Sequence, residues 1–362
     1  MWTSPHRLSH TREKHESGAQ ALIWRKPTDL TISVAMCTYQ GSRHIRAQME
    51  SILAQTRLPN EVVVCDDGSS DGTVEILRSY SLTAPFAVRI TENSHTLGVA
   101  QNFEKAVCLC SGDIVVLSDQ DDVWREDKLA RIEEMFLESP EIGGVFSDAL
   151  VVDENLIPMG YTMWEHVHFT KEDQARVLRG DALDVLLKSN RVTGAALAFR
   201  LSLRDDVLPI PRLWMHDAWI ALLIAAVSKL SIIDEPLIRY RQHAENQIGA
   251  RKKGIKFRFD ECAAIDRERY YSEEMECYGE AYARVALRAA KRADLQDKAA
   301  RIQCKLDHLR ARSQLPENRL FRLPGILAGL AKLNYHRYSA SWQVAVKDLL
   351  LPPGRERSPG TE

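Results

Sequence analysis

Three short segments of this 362-residue chain gather acids and hydroxyls that could hold a phosphate or a metal ion. They are Cys37-Thr38-Tyr39, Asp66-Asp67-Gly68-Ser69 and Ser118-Asp119-Gln120-Asp121-Asp122. Carboxylates brought to one place repel each other, at a cost in folding energy unless a cation sits among them. Oxygen ligands spaced as Asp-x-Asp, here Asp119 and Asp121, suit Mg2+ or Mn2+, which keep waters and take phosphate oxygens as their further ligands. The chain has no Gly-x-x-x-x-Gly-Lys-Ser/Thr loop and no Gly-x-Gly-x-x-Gly run, so neither an ATP P-loop nor a dinucleotide fingerprint competes. The local reading is a metal-bound diphosphate. The plain alternative is a set of solvated turns and helix caps.

Such residues act together only if the elements carrying them end at one edge. β-rich runs at Thr31–Cys37, Glu61–Cys65, Phe86–Thr91 and Ile114–Leu117 alternate with helical stretches at Arg43–Leu53, Thr73–Tyr80 and Val99–Leu109. A helix at about Lys128–Leu137 and a strand at Val145–Ser147 follow. Strands of this length alternating with helices imply βαβ crossovers and a mostly parallel sheet, with ligands beyond the carboxyl ends of the strands. The predicted fold class is therefore α/β. After Pro158 the alternation loosens: Ala182–Lys188 reads as helix, Ala195–Phe199 as extended, Ala218–Val227 as a buried helix, and Leu230–Ile233 and Leu237–Tyr240 as two short strands. Glu274–Leu309 is rich in Ala, Arg, Lys and Glu and predicts one or two long helices.

Charge divides along the same line. Residues 251–362 carry 23 Lys and Arg against 15 Asp and Glu, and subtraction from 48 and 50 leaves 25 against 35 for residues 1–250. An acidic body with a basic tail suggests two jobs. The whole-chain charge of -2 gives no reason to expect nucleic acid as a partner. The seven cysteines are scattered, without a Cys-x-x-Cys pair, which argues for buried thiols in a reducing compartment. Residues 1–29 read as a flexible leader, residues 30–250 as the main α/β domain and residues 251–362 as a basic helical extension. No apolar run is long enough to span a bilayer. Basic and aromatic residues interleaved with Leu near the carboxyl end suit an interfacial helix making peripheral membrane contact; the alternative is a helical cap packed on the main domain.

The segments ISVAMCTYQG, ILAQTRLPNEVVVCDDGSSDGT, LGVAQNFEKA and SGDIVVLSDQDDVW resemble glycosyltransferase family 2, over about Ile32–Ala250. Four further motifs, Ser118–Trp124, Phe146–Ala149, His216–Trp219 and Tyr240–His243, resemble its bacterial rhamnosyltransferase-like branch. The resemblance implies a GT-A fold and a metal-dependent inverting transfer from a nucleotide-diphosphate sugar, UDP- or dTDP-linked rather than GDP-linked. The acceptor implied is a saccharide or a lipid-linked saccharide, and the basic, aromatic-rich tail suggests that it is met at the cytoplasmic face of the membrane. It further implies that Tyr39 stacks near the base, Asp67 accepts from the base's ring N–H, Asp119 faces the ribose and Asp121 ligates Mg2+ or Mn2+. Asp66 either shares the nucleotide contact or only stabilises its turn, and Asp122 cannot be separated from Asp121 as the ligand. Where the family usually has Asn before the first-loop glycine, this chain has Gln40, which puts the geometry of that turn in question.

An inverting transfer needs a base for the acceptor hydroxyl, and Asp217 stands at the family's position for it; the alternative is a helix N-cap. His243 is a candidate for the metal or the diphosphate, and Arg241 for a phosphate, against surface roles for both. Thr193 and Gly194 resemble the loop lining the acceptor side. Trp124 and Trp219 could stack on sugars or simply pack in the core. Two other functions compete: a sugar nucleotidyltransferase, disfavoured because Tyr39-Gln40-Gly41-Ser42 is not a Gly-rich Arg/Lys loop, and an inactive scaffold relative, disfavoured by the intact acids.

Overall fold

A computed structural model of the chain describes residues 30–243 and 267–350. The leader expected at 1–29 and the boundary expected at 250 lie outside the described residues. The amino-terminal half is a regular alternation: β1 (Ile32–Thr38), α1 (Ile45–Leu53), β2 (Glu61–Asp66), α2 (Thr73–Thr83), β3 (Ala87–Glu92), α3 (Val99–Leu109) and β4 (Ile114–Ser118). Next come β5 (Val123–Trp124), α4 (Lys128–Glu138), β6 (Ile142–Val152), β7 (Pro158–Thr162), α5 (Met163–His166), α6 (Lys171–Leu178) and α7 (Ala182–Leu186). The domain closes with β8 (Leu197–Arg200), α8 (Arg204–Val207), α9 (His216–Val227) and β9 (Lys229–Arg241). Five helices follow the gap in the described residues: α10 (Arg267–Ala289), α11 (Gln296–Ser313), α12 (Arg319–Ala331), α13 (Asn334–Tyr338) and α14 (Gln343–Leu350).

One sheet runs in the order β3-β2-β1-β4-β8-β6-β9-β5, with β7 on β6. Strands β1 to β4 are mutually parallel, with Thr38 opposite Asp66 and Met36 opposite Ser118. β8 is antiparallel to both β4 and β6, and β6 is parallel to β9. Two reversals restore the direction, so β9 runs with β1 to β4. Its carboxyl end, Arg241, thus emerges at the same edge as Asp66 and Asp119.

The central strands are apolar on both faces because both faces are covered. Ala35, Val63, Cys65, Val115 and Leu117 point toward α3 and α9, while Val34, Met36, Val62, Val64 and Val116 point toward α1 and α4. α9 (HDAWIALLIAAV) is apolar all round and almost wholly buried, as expected for a helix covered on every side. Its outer cover is the basic region: Tyr271, Tyr278, Ala281 and Val285 of α10 and Ile302, Leu306 and Leu309 of α11 join the same cluster as Trp219 and Leu223. Over α10 and α11 the carboxyl-terminal region is a packed cap. Among the described residues, no helix is long and apolar enough to cross a membrane.

Candidate active site

The β1 and β4 loops are tied together by a two-way clamp. The Tyr39 main-chain N–H donates to Gln120 Oε1, and Gln120 Nε2 donates back to the Tyr39 carbonyl, both at 2.9 Å. A side chain at Gly41 would collide with that Gln120 amide, so the close approach requires glycine there. Gln40 has φ of 49°, a left-handed conformation that Asn adopts more readily than Gln. Bonds to both following serines hold it: its N–H donates to Ser69 Oγ at 2.9 Å, and its Nε2 to Ser70 Oγ at 3.2 Å. The turn therefore forms despite the substitution. Tyr39 is half exposed at the mouth of this edge.

The two acids after β2 are both buried and both hold loops. Asp66 accepts from Thr38 Oγ1, the Gly68 and Ser69 main-chain N–H groups and Ser69 Oγ, at 2.6–3.1 Å. Its carboxylate is committed to the turn, so of the two expected roles the structural one applies. Asp67 accepts from Asn93 Nδ2 and the Leu97 N–H on one oxygen and from the Gly98 N–H on the other, at 2.7–2.9 Å. It thereby fixes the loop leading into α3, and only its second oxygen, with a single partner, has an acceptor position left for a base N–H.

The acids after β4 differ in their surroundings. Burial, then the neighbouring Asp121 and Asp217, push the Asp119 carboxyl up to about 7. Asp119 thus feels the charges of both Asp121 and Asp217. Asp121 Oδ2 lies 2.8 Å from His243 Nε2. Asp122 is completely buried: one oxygen accepts the Arg241 main-chain N–H at 3.1 Å, and the other has no hydrogen-bond partner. Burial, with Asp121 and Asp119 beside it, pushes its carboxyl well up. Lys128, itself fully buried, brings positive charge near Asp122 and Asp119 and donates to the Ala195 carbonyl at 2.7 Å over the Trp124 ring. Lys128, like His44, carried no motif in the sequence and emerges only from the fold. His44 is buried at the start of α1, its ring 4.8 Å from that of His243 and its Nε2 without a partner.

Three expected contacts are redirected. The Arg241 guanidinium is buried and donates from Nε to the Asp121 carbonyl and from Nη1 to the Glu154 carbonyl, both at 2.7 Å; it braces the acidic loop from behind rather than reaching for a phosphate. Trp219 is fully buried, with its indole N–H on the Val207 carbonyl at 2.6 Å and Arg284 over its ring. It is a core residue and cannot stack on an acceptor sugar. Trp124, buried beneath Lys128, is likewise packed.

Asp217 lies in the first turn of α9, after the N-cap Met215, and makes no N-cap bond. Burial raises its carboxyl to about 6, against hydrogen bonds from the Ala218 and Gly194 main-chain N–H groups and the Asn190 side chain that favour the charged form. Gly194, expected with Thr193 to line the acceptor side, is thus placed beside Asp217. A Cβ on Gly194 would sit 2.6 Å from His216 Nε2. The His216 ring stacks on Phe103 with centroids 3.9 Å apart, and burial keeps it neutral by lowering it to about 3. Gly194→Ala is expected to cost about 1–3 kcal/mol by overpacking, read as a lowered thermal midpoint. An unchanged midpoint would mean the loop and His216 can part freely.

A divalent metal, the cofactor implied by the resemblance, can be tested against this donor set. Among the described residues, no three His, Cys, Asp or Glu side chains converge on one point. Asp121 and His243 nevertheless supply an oxygen and a nitrogen side by side, next to acids that repel one another. That fits an ion taking its remaining ligands from phosphate and water.

Residues 33–182 match the sequence model of glycosyl transferase family 2, and this segment is a family 2 glycosyltransferase domain of GT-A architecture. An uncharacterized glycosyltransferase of Nostoc sp. is 27% identical over 225 residues, covering 60% of this chain and 66% of that protein. The dTDP-rhamnosyl transferase RfbG of Shigella flexneri is 25% identical over 251 residues, covering 66% of this chain and 82% of RfbG. In fold, the crystal structure of S. aureus TarS residues 1–349 in complex with UDP-GlcNAc superposes with a TM-score of 0.54 at 16% identity, covering 88% of each chain.

Proposed function

We propose that this chain is a metal-dependent inverting glycosyltransferase that moves a sugar from a nucleoside-diphosphate donor to a saccharide or lipid-linked saccharide. The reading is supported by the acids gathered at one sheet edge, where Asp121 stands 2.8 Å from His243 and the Asp119 carboxyl is raised by burial and by the charges of Asp121 and Asp217. Similarity to RfbG, named for a dTDP-sugar, and a fold shared with a UDP-GlcNAc complex support a dTDP- or UDP-linked donor. Rhamnose is the proposed sugar on the first of these grounds. The six described cysteines are all free, in keeping with a reducing, cytoplasmic setting.

Asp217 takes the proton from the acceptor hydroxyl as its oxygen bonds to the anomeric carbon. The bond from that carbon to the diphosphate oxygen breaks, and the nucleoside diphosphate leaves from the opposite face, inverting the centre. Gly194 and Ala218 hold the Asp217 carboxylate by their N–H groups. Asp119 faces the ribose and Tyr39 the base. Asp121 and His243 would hold Mg2+ or Mn2+, which when bound neutralises charge on the leaving diphosphate. Arg241 and Gln120 keep the two loops in place behind them.

Thermal midpoints measured with UDP, dTDP, GDP and CDP, each with and without Mn2+ or Mg2+, test this reading. A ligand at about 100 times its Kd stabilises by roughly 2.7 kcal/mol, so UDP or dTDP with metal should give a clear upward shift that neither gives alone. No shift with any nucleotide, in folded protein, would overturn the proposal.

A further inference from the structure

Helix α12 carries one broad apolar face, covered along its inner margin and open along its outer margin. Along the inner margin, Ile326 and the partly buried Leu330 join Leu315, Tyr335 and Ala345 in a small separate cluster. Along the outer margin, Leu320, Leu323 and Leu327 recur at the i, i+3, i+7 spacing of one helical stripe and are 73%, 40% and 61% exposed. Phe321 beside them is 69% exposed, and Leu333 and Trp342 just beyond are about half exposed. A helix that only caps its own domain turns its whole apolar face inward. This one does not.

The charges around the stripe say what kind of surface it fits. Arg319 opens α12, Lys332 follows its last residue and Arg337 lies on α13, all exposed; Glu317 is the one exposed acid among the described residues 314–350. The remaining acid there, Asp348, is buried against Arg312, Tyr271 and Tyr335. An exposed apolar stripe with cationic flanks is the pattern of a helix lying in a lipid interface. Docking on a second copy would bring the same cations of both chains together, since a two-fold contact pairs a patch with itself.

We propose that the open margin of α12 docks this protein on an anionic lipid surface. The surface is distinct from the packed helices α10 and α11, although those lie in the same basic region. It does not rest on the reading of the donor site, because docking needs no nucleotide.

The test is co-sedimentation of the full chain, without nucleotide, with vesicles of phosphatidylcholine alone and of phosphatidylcholine mixed with phosphatidylglycerol. Binding should require phosphatidylglycerol and fall with added salt. It should weaken at least about tenfold in Leu320→Gln/Leu323→Gln/Leu327→Gln, whose exposed positions leave the thermal midpoint unchanged. Arg319→Glu/Lys332→Glu should weaken it by about tenfold or more. Three results would overturn the proposal: no binding to either vesicle, equal binding by both vesicle types, or undiminished binding by the triple variant. A dimer that the triple variant converts to monomer, without vesicle binding, would overturn it in favour of contact between copies.

Discussion

Asp217→Asn should lower turnover by about 10²–10⁴ while nucleotide affinity stays within a fewfold of the parent. The amide keeps the shape of the carboxylate and can still accept from the Gly194 and Ala218 N–H groups that hold it, but it is no longer basic. The pH dependence follows from the same burial. With a carboxyl near 6, the rate should climb as pH rises through about 6, the range in which the base becomes free, and the variant should lack that limb. Stability should move the other way. The folded-state value lies above the ordinary 3.8, so the folded protein holds this proton more tightly than the unfolded chain does. Stability therefore falls as pH rises from about 4 to about 6, and above that range the folded state bears a buried charge. Removing the charge should raise stability at pH 7–8 by on the order of 1–3 kcal/mol, read as a higher thermal midpoint in a nearly inactive protein. A variant that keeps turnover within tenfold of the parent would move the base elsewhere.

Asp121→Asn should abolish the metal-dependent part of the nucleotide-induced thermal shift and lower kcat/KM by about a thousandfold, in line with the several kcal/mol that a metal contributes to leaving-group stabilisation. The expectation rests on Asp121 standing within 2.8 Å of the His243 imidazole. Asp122 provides the contrast. It is sealed below the surface and receives the Arg241 N–H, so Asp122→Asn should leave the metal response in place. If instead Asp122→Asn removes the response and Asp121→Asn keeps it, the ligand assignment is reversed.

The amino-terminal half was readable because its strands are uniformly apolar and its turns carry Gly, Ser and Asp. α3 was predicted at the bounds observed, and β1, β2 and β4 within a residue at each end. Beyond residue 140 the local pattern misleads. β6 was expected at Val145–Ser147 but spans Ile142–Val152, because Gly143-Gly144 and Asp148 interrupt its apolar run while the sheet accommodates them through register shifts. β9 was expected as two strands broken near Pro236. It is one strand, with Pro236 paired to Asp148 where the ladder shifts and a missing N–H is tolerated. β5 and β7 are strands made by their partners rather than by their own residues, so no local signal announced them.

The site was legible in its order along the chain and less so in its allegiances. Which acid faces a ligand and which one ties a loop depends on contacts formed by distant residues. Asp67 is claimed by residues 93–98 and Arg241 by the carbonyls of Asp121 and Glu154. The burial of Trp219 could have been inferred from its place in α9, where apolar residues occupy every side.

That all-apolar helix also bears on how the protein is made. When α9 leaves the ribosome, the residues destined to cover it, from Tyr271 to Leu309, have not yet been synthesised. At ordinary elongation rates the wait is roughly ten seconds. During that interval the nascent chain displays a sticky flank that nothing of its own can shield. Closure of the core therefore waits for α10 and α11, and a chain cut short before α10 would keep that flank open, a substrate for chaperones or aggregation rather than a smaller working enzyme.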